Sequence, residues 1–284
     1  MTVAHAAFVA GSAAGEPEAD RWLALMAAAG VGMPQSWEKA LNHLENAALR
    51  GSVSAAGQLA ALAENSVGDD PRTLRSSIDL TAMVTTPEKK VVNVQPRTVA
   101  IEGFVSRAVA DWLIGLARGR LRRAAVFQGA EAAHTGGRTN TASRFDFTDS
   151  DVVVLLARQK IAAAIGVPVG ALETSQILHY ETGEEFAAHF DWLDPADAGQ
   201  AQEIAKDGQR IATFLIYLND DFKDGETSFP RMGLSHRGRA GDALYFANIQ
   251  ADGSPDQRTL HAGLAPSSGQ KWVFSQWVRN QARV

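Results

Sequence analysis

The C-terminal 40% of the chain, beyond Ala171, consists of short segments that carry β-branched and aromatic residues and are separated by turn-forming residues. The segments that read as strands are 174–180, 211–218, 242–247, 260–263 and 271–278. Several short strands joined by irregular loops favour an antiparallel jelly roll or a related double-stranded barrel. This pattern constrains the fold more than any other feature of the sequence.

The N-terminal quarter has a different pattern. Trp37, Leu41 and Leu44 follow the spacing of an amphipathic helix, with Ser36 in position to cap its start and Gly51 to end it. Residues 55–62 repeat the apolar pattern after a short interval. Small residues allow helices to approach closely, so this region predicts paired antiparallel helices.

The run WEKALNHLENAALRGSVSAAGQLAALAE resembles Sel1-like repeats, which are related to the tetratricopeptide class. The resemblance is confined to residues 1–66 and covers little more than one repeat. Because one repeat cannot bury its own apolar face, it implies docking on the rest of the chain or a homodimer through these helices. A plain helical extension without a partner is the alternative.

Residues 67–95 are expected to form a linker and a leading irregular strand, because Asn65–Thr86 is rich in Ser, Asp, Thr and Gly. Two helices are predicted further on. One covers Ser106–Arg120 with Ser106 as its cap, and the other covers Ser150–Ile165 and ends at Gly166.

Composition excludes several classes of function. The net charge is −5 and the basic residues are scattered, which argues against a nucleic-acid partner. There is no cysteine, so only histidine and carboxylate side chains remain as plausible metal ligands. No Lys or Arg precedes Ala6, as a signal peptide would require, and no stretch of about eighteen apolar residues predicts a membrane span. We therefore expect no membrane partner and a cytoplasmic protein.

The tripeptide His189-Phe190-Asp191 predicts a metal site. In an extended chain alternate residues share a face, so the imidazole and the carboxylate point the same way. His261, which lies in the strand-like run RTLHAG, is the natural third ligand. Two histidines and one carboxylate leave open coordination positions, as iron(II) oxygenases require. His5 is expected in a frayed tail and His43 on an exposed helix face. These two and the remaining histidines are interpreted as structural.

Three longer runs resemble the catalytic domain of prolyl 4-hydroxylase-type 2-oxoglutarate oxygenases. They are ETSQILHYETGEEFAAHFDW, QRIATFLIYLNDDFKDGETSFP and GDALYFANIQADGSPDQRTLHAGLAPSSGQKWVFSQWVR. Upstream, AIEGFVSRAVADWLIGLARGRLRRAAVF and GGRTNTASRF are similar to the leading strand, helix and Arg-Thr loop of that family. The resemblance implies an α+β fold for residues 96–284, in which a double-stranded β-helix is flanked by helices.

The resemblance also implies roles for six residues. It makes His189, Asp191 and His261 the iron ligands, and it makes Tyr180, Thr227 and Lys271 the partners of the distal carboxylate of 2-oxoglutarate. The implied cofactors are Fe(II), 2-oxoglutarate as cosubstrate and O2, with L-ascorbate as a reductant. A buried cation flanked by hydroxyls suits a carboxylate that has left water.

Substrate residues are expected around the same site. Arg210 and Trp277 match positions that contact peptide in the prolyl hydroxylases, although they could equally be a surface charge and a core residue. Phe186 occupies a position where that group usually has tyrosine. Phenylalanine retains the aromatic wall of the site but lacks the hydroxyl and its hydrogen bond. Asp194–Gly208 is either a lid over the substrate or a surface insertion.

The expected function is hydroxylation of a prolyl residue in a peptide or protein, with release of succinate and CO2. Two alternatives stay open. The enzyme could hydroxylate another side chain or a small molecule, or the barrel could hold a metal or peptide without turnover.

Overall fold

The computed structural model describes residues 3–65, 68–124, 126–128, 131–133 and 137–282. The chain divides into two compact units. The first comprises Met1–Thr85 and Phe147–Lys160, and the second comprises Thr86–Asp146 and Ile161–Val284. The boundary expected at residue 66 lies outside the described residues, and the predicted domain limits stay predictions.

Several of the described helices begin at a residue whose side chain caps the first turn. The described helices are α1 (Val3–Ala13), α2 (Pro17–Ala29), α3 (Trp37–Leu49), α4 (Val53–Ala63), α5 (Pro71–Ser77), α6 (Leu80–Val84), α7 (Arg107–Arg118), α8 (Val152–Ile165) and α9 (Ala198–Asp207). The hydroxyls of Ser36, Ser52 and Ser106 accept hydrogen bonds from the first turns of α3, α4 and α7. The helices predicted around Trp37, after Ser106 and before Gly166 are confirmed.

The first unit contains a buried carboxylate that connects three helical segments. Asp20 is fully buried and accepts hydrogen bonds from Ser12 at 2.8 Å and from Arg50, and it pairs with Nδ1 of His43 at 3.0 Å. The expectation that His43 lies on an exposed helix face is therefore wrong, because this pairing holds the ring half-buried. His5 is buried within α1, so the expectation of a frayed tail is also wrong.

The segment expected to be a linker contains helices α5 and α6. Asp70 accepts a hydrogen bond from the backbone of Thr73 at 3.1 Å, and Asp79 accepts one from Thr81 at 2.9 Å. These N-caps offset the low helix propensity of the serine- and threonine-rich sequence, and Pro71 occupies the first turn of α5, where its missing N–H costs nothing. Composition alone therefore did not predict these two helices.

The second unit contains the described strands, all of which pair in antiparallel fashion. They are β1 (Lys90–Asn93), β2 (Thr98–Ile101), β3 (Arg122–Arg123), β4 (Val126–Gln128), β5 (Glu131–Ala133), β6 (Thr141–Phe145), β7 (Ser175–Tyr180), β8 (Phe186–His189), β9 (Arg210–Tyr217), β10 (Lys223–Asp224), β11 (Thr227–Phe229), β12 (Leu234–His236), β13 (Ala243–Ala247), β14 (His261–Gly263), β15 (Pro266–Ser268) and β16 (Lys271–Arg279). The five strands predicted beyond Ala171 are confirmed to within one residue at each end.

Two of the sheets determine where the site lies. The major sheet has the strand order β1-β2-β13-β9-β16-β7-β6-β3, and the minor sheet has the order β12-β11-β14-β8. A shared apolar core includes Tyr217, Phe246 and Val273 from the major sheet and Phe229 from the minor sheet. Phe229 and Phe246 meet edge to face with their ring centroids 4.9 Å apart. The two sheets therefore pack against each other with the core between them.

The segment that follows the His-Phe-Asp tripeptide forms helix α9 rather than an irregular loop. Asp197 caps the helix by accepting a hydrogen bond from the backbone of Gln200 at 2.9 Å. Arg279, which is 2% exposed, pairs with Glu203 of the helix and donates to the carbonyl of Gly208 at 2.5 Å. These contacts hold α9 against the end of β16.

Among the described residues, none of the helices combines the length and the apolar character needed to cross a bilayer.

Candidate active site

Three side chains predicted as metal ligands lie together. A nitrogen of His189, a nitrogen of His261 and a carboxylate oxygen of Asp191 lie within 4.8 Å of one another, and within the described residues this is the one group that meets the geometric requirements for holding a metal ion. His189 ends β8 and His261 begins β14, and the two residues are directly paired in the minor sheet. Strand pairing therefore brings together residues that are far apart in the sequence.

Asp191 lies two residues beyond the end of β8, yet its carboxylate still faces the two imidazoles. Its Oδ1 is 3.6 Å from Nε2 of His189, and its Oδ2 is 3.3 Å from Nε2 of His261. Phe190 points elsewhere, since its ring lies 4.5 Å from the ring of Trp192. The alternation expected of an extended tripeptide holds here although the strand itself stops at His189.

Backbone carbonyls determine which nitrogen of each imidazole faces the cluster. Nδ1 of His189 lies 2.8 Å from the carbonyl of Ala187, and Nδ1 of His261 lies 3.0 Å from the carbonyl of Thr259. A carbonyl can only accept, so each Nδ1 carries the proton and each Nε2 presents a lone pair. This arrangement prepares both rings to bind a metal through Nε2.

The charge state of the cluster also favours a cation. Burial and the neighbouring His261 lower the pKa of His189, so its ring is neutral near pH 7. Burial by itself would raise the pKa of Asp191, but the adjacent histidines hold it well below its usual range. Two imidazoles and one carboxylate form a donor set that fits iron(II).

A pocket extends from this cluster to three buried side chains. Lys271, Tyr180 and Thr227 are 1%, 2% and 3% exposed, and they line the same pocket as His189 and His261. Burial raises the pKa of Tyr180 to about 12, so its hydroxyl retains its proton and can donate a hydrogen bond. The hydroxyl of Thr227 is held by that of Tyr217 at 2.8 Å.

Burial of Lys271 carries the largest free-energy cost of the three, because a buried ammonium without a partner is unfavourable. In the described part of the chain no carboxylate lies within ion-pair distance of its Nζ, which sits 4.8 Å from the ring centroid of Tyr180. Burial lowers the pKa of Lys271 to about 7, although Glu226 opposes the shift. The residue therefore forms a prepared site for an anion.

One side of the pocket is formed by the half-buried aromatic residues Phe186 and Trp277 and by the buried residue Arg138. Phe186 stacks on the ring of His189 with centroids 3.5 Å apart and planes 12° apart. The guanidinium of Arg138 lies 4.2 Å from the centre of the Phe186 ring. Trp277 contributes another wall. These three residues line the pocket together with the metal cluster.

Arg210 does not line this pocket; it lies behind Trp277. Its guanidinium binds Glu173 through two hydrogen bonds of 2.6 and 3.1 Å, and it lies 3.7 Å from the centre of the Trp277 ring. Glu173 also accepts a hydrogen bond from Arg279 at 2.7 Å. Arg210 is thus a half-buried, paired residue and not a surface charge.

Sequence reasoning assigned no individual role to three residues at this site: Arg138, Thr213 and Asn248. Arg138 belongs to the Arg-Thr loop of the family resemblance, which is the signal that could have identified it. Thr213 donates a hydrogen bond to Asp191, and Asn248 donates one to Thr213. No spacing rule points to either residue, because both contacts form only when separate strands meet.

Comparison with known proteins agrees with this geometry. Residues 175–279 match the profile of the 2OG-Fe(II) oxygenase superfamily. The chain is 30% identical to the probable prolyl 4-hydroxylase 4 of Arabidopsis thaliana over 226 residues, which covers 72% of this chain and 74% of that protein. It is 32% identical to prolyl 4-hydroxylase 2 of the same plant, covering 66% of this chain and 69% of that protein.

Among solved structures, the viral collagen prolyl hydroxylase from Paramecium Bursaria Chlorella virus-1, in its 2OG complex, matches with a TM-score of 0.49 and 24% identity over 64% of this chain and 95% of that chain. The chain belongs to the prolyl 4-hydroxylase family of 2OG-Fe(II) oxygenases. It is an iron(II)- and 2-oxoglutarate-dependent dioxygenase, with dioxygen as its co-substrate.

Proposed function

We propose that the protein hydroxylates a prolyl residue of a peptide or protein and releases succinate and CO2. In this proposal His189, Asp191 and His261 bind the iron, and Tyr180, Thr227 and Lys271 bind the distal carboxylate of 2-oxoglutarate. The observation that carries it is the pocket that joins a His-Asp-His cluster to a buried lysine, which has no ion-pair partner among the described residues. One end suits a metal, and the other suits the far carboxylate of a short dicarboxylic acid.

The bound iron supplies the oxidative chemistry, and the chain supplies position and electrostatics. The backbone carbonyls of Ala187 and Thr259 keep Nε2 of each histidine free for the metal. The apolar walls around Leu178, Leu215 and Val273 exclude water from the pocket, which strengthens the charge-assisted hydrogen bonds of Lys271.

The prolyl substrate is supported by the relatives, which are named as prolyl 4-hydroxylases. The half-buried aromatic walls formed by Phe186 and Trp277 suit an apolar, compact pyrrolidine ring next to the metal. Arg138, which is 5% exposed and lines the same pocket, offers hydrogen-bond donors to a peptide carbonyl. An extended peptide that places proline beside His189 is therefore the substrate class we propose.

Two measurements test this function. Anaerobic addition of Fe(II) and 2-oxoglutarate should produce a weak visible charge-transfer band, and the absence of a band at saturating reagents would contradict the ligand assignment. Proline-containing peptides should then stimulate succinate release and gain one oxygen atom by mass spectrometry. Succinate release that responds only to peptides lacking proline would exclude the prolyl target while leaving the oxygenase assignment intact.

The affinity for 2-oxoglutarate should depend on pH through Lys271. Its pKa of about 7 in the free protein means that the ammonium is mostly present below that value and is lost above it. A bound carboxylate favours the ammonium, so binding at higher pH requires uptake of a proton. We expect the dissociation constant, measured by titration calorimetry, to rise toward about tenfold per pH unit above about pH 7.

Lys271→Arg is the matched control for this dependence, because arginine stays charged over the whole range. Whatever the absolute value of its dissociation constant, the pH dependence of this variant should be flat. A wild-type curve that is as flat as that of the arginine variant would show that Lys271 does not titrate in this range.

Phe186→Tyr should reveal whether the missing hydroxyl affects turnover of proline. Tyrosine retains the stack on His189 and adds one hydrogen-bonding group that faces the half-buried part of the pocket. We expect kcat/KM for a prolyl peptide to rise by about tenfold, which is the value of one good hydrogen bond to substrate. Phe186→Leu serves as the control that removes the stack without adding a hydroxyl. A lower kcat/KM in the tyrosine variant would indicate that the pocket is shaped for a different target.

We further propose that the major and minor sheets form a double-stranded β-helix. The shared core around Phe229 and Phe246 supports this arrangement. For residues 1–66 we propose a Sel1-like helical segment that mediates a homodimer, supported by the exposed apolar residues Val3, Val9 and Val53. Sedimentation of the whole chain tests the dimer, and a monomer at all concentrations would exclude it.

A further inference from the structure

Asp191 is the end of a buried chain of hydrogen bonds that no sequence motif marks. Thr213 Oγ1 lies 2.6 Å from Oδ2 of Asp191, and Nδ2 of Asn248 lies 3.0 Å from the same Thr213 oxygen. Asn248 and Thr213 are 0% and 1% exposed, and Asp191 is 4% exposed. Water therefore does not compete for these bonds, and the loss of one partner would leave a buried polar group unsatisfied.

The donors in this chain can be arranged in only one way. The carboxylate of Asp191 can only accept, so the single hydroxyl proton of Thr213 must be donated to it. The Thr213 oxygen can then only accept from its other neighbour, which requires the amide nitrogen of Asn248 on that side. The Asp191 carboxylate thus sets the direction of the Thr213 hydroxyl, and the amide of Asn248, as a donor, excludes the opposite direction. Thr213 in turn engages Oδ2 of Asp191.

The backbone of Asn248 is held from two directions. Its N–H donates to the carbonyl of Ile211 at 2.8 Å, next to the start of β9, and its carbonyl accepts from the N–H of Asp256 at 3.0 Å. Asp256 begins the short turn that leads into His261. Asn248 is therefore fixed relative to the strand that carries Thr213 and to the segment that delivers the second histidine.

We propose that Thr213 and Asn248 are positioning residues of the iron site. Thr213 holds Oδ2 of Asp191, so that the plane of the carboxylate is fixed and Oδ1 remains available for the metal, and Asn248 keeps the Thr213 hydroxyl in the donating direction. This inference rests on the proposed assignment of His189, Asp191 and His261 as ligands. Partners of metal ligands orient those ligands, and their removal costs about 10–100-fold in metal affinity.

Co(II) is the probe that tests the proposal, because its visible spectrum and its heat of binding are measured without turnover. Thr213→Val retains the shape of the side chain and removes the donor, and we expect it to weaken Co(II) binding by about 10–100-fold. Thr213→Ser restores the hydroxyl and should restore the affinity. Thr98→Val is the matched control, since its buried hydroxyl donates to the carbonyl of Pro96 and not to a residue of the metal cluster.

Asn248→Leu shows whether the asparagine acts through the threonine. Alone it should weaken Co(II) binding by less than Thr213→Val does, and the double variant should bind no more weakly than Thr213→Val. Such non-additivity is the sign of two residues in one chain of contacts. Thermal unfolding of each protein without metal identifies any variant that has lost its fold.

A folded Thr213→Val protein that binds Co(II) as tightly as the wild type would overturn the proposal, as would a fully additive loss in the double variant. If Thr213→Val does not fold, wild-type affinity in Asn248→Leu would overturn it instead. Failure of the ligand assignment itself gives a different result. In that case the wild type would not bind Co(II), or His189→Ala would bind it equally well.

Discussion

Replacing His189 with alanine is expected to abolish stoichiometric iron binding and all 2-oxoglutarate-dependent succinate release. The substitution leaves two ligands of three, and it removes the ring on which Phe186 stacks. Activity should fall by more than about 100-fold, which is the upper end of the loss for removing a partner of a ligand, because here a ligand itself is removed. Iron content per chain and succinate release measure the two effects.

His43→Ala is the control for this experiment. His43 belongs to the helical first unit, where Asp20 retains Ser12 and Arg50 as hydrogen-bond partners when the ring is removed. This variant should retain one iron per chain. If the His189→Ala protein retained iron at wild-type stoichiometry, the cluster of His189, Asp191 and His261 could not be the iron site.

Replacing Lys271 with methionine is expected to weaken 2-oxoglutarate binding by about 100–1000-fold, which corresponds to the roughly 3–4 kcal/mol that the loss of one partner of a buried ion pair costs. Methionine fills most of the same volume, so the pocket should not collapse. Co(II) affinity should not change, since Lys271 is not part of the metal cluster. The KM for 2-oxoglutarate and the Co(II) dissociation constant distinguish the two ends of the pocket.

The same substitution should leave the protein without cosubstrate at least as stable as the wild type. Burial lowers the pKa of Lys271 to about 7, which means that the folded state opposes the charged form that is present in the unfolded chain. An apolar replacement removes that cost. Lys223→Met, at an exposed strand position, is the control that changes the same charge without touching the pocket. An unchanged KM for 2-oxoglutarate in Lys271→Met would contradict the role assigned to this lysine.

Local sequence patterns predicted much of the fold because they reflect interactions between residues that are close in the sequence. Long strands such as β9 and β16 carry enough β-branched and aromatic residues to be recognised, and Ser36 and Ser106 mark helix starts through hydrogen bonds within one turn. The three-residue strands β11 and β12 were not predicted, because so few residues do not establish a period. They exist since neighbouring strands supply their hydrogen bonds.

The same distinction explains why the helices in two polar segments were not predicted. Residues 71–84 and 198–207 are polar, and polarity alone reads as loop, but aspartate caps begin a helix in each. The helix in the second segment is also held by Arg279, which lies more than seventy residues away in sequence. Composition contains no information on such a distant partner.

For the site, the sequence by itself determined the identity of the cluster. The alternation of His189 and Asp191, the strand-like run around His261 and the family resemblance that added Lys271 identified four residues that the structure brings into one pocket. Only the tertiary structure decided that Lys271 is buried, that Arg210 is paired with Glu173 behind Trp277, and that Asn248 and Thr213 reach Asp191. Burial and contacts between distant strands arise only when the two sheets pack, so no local pattern contains them.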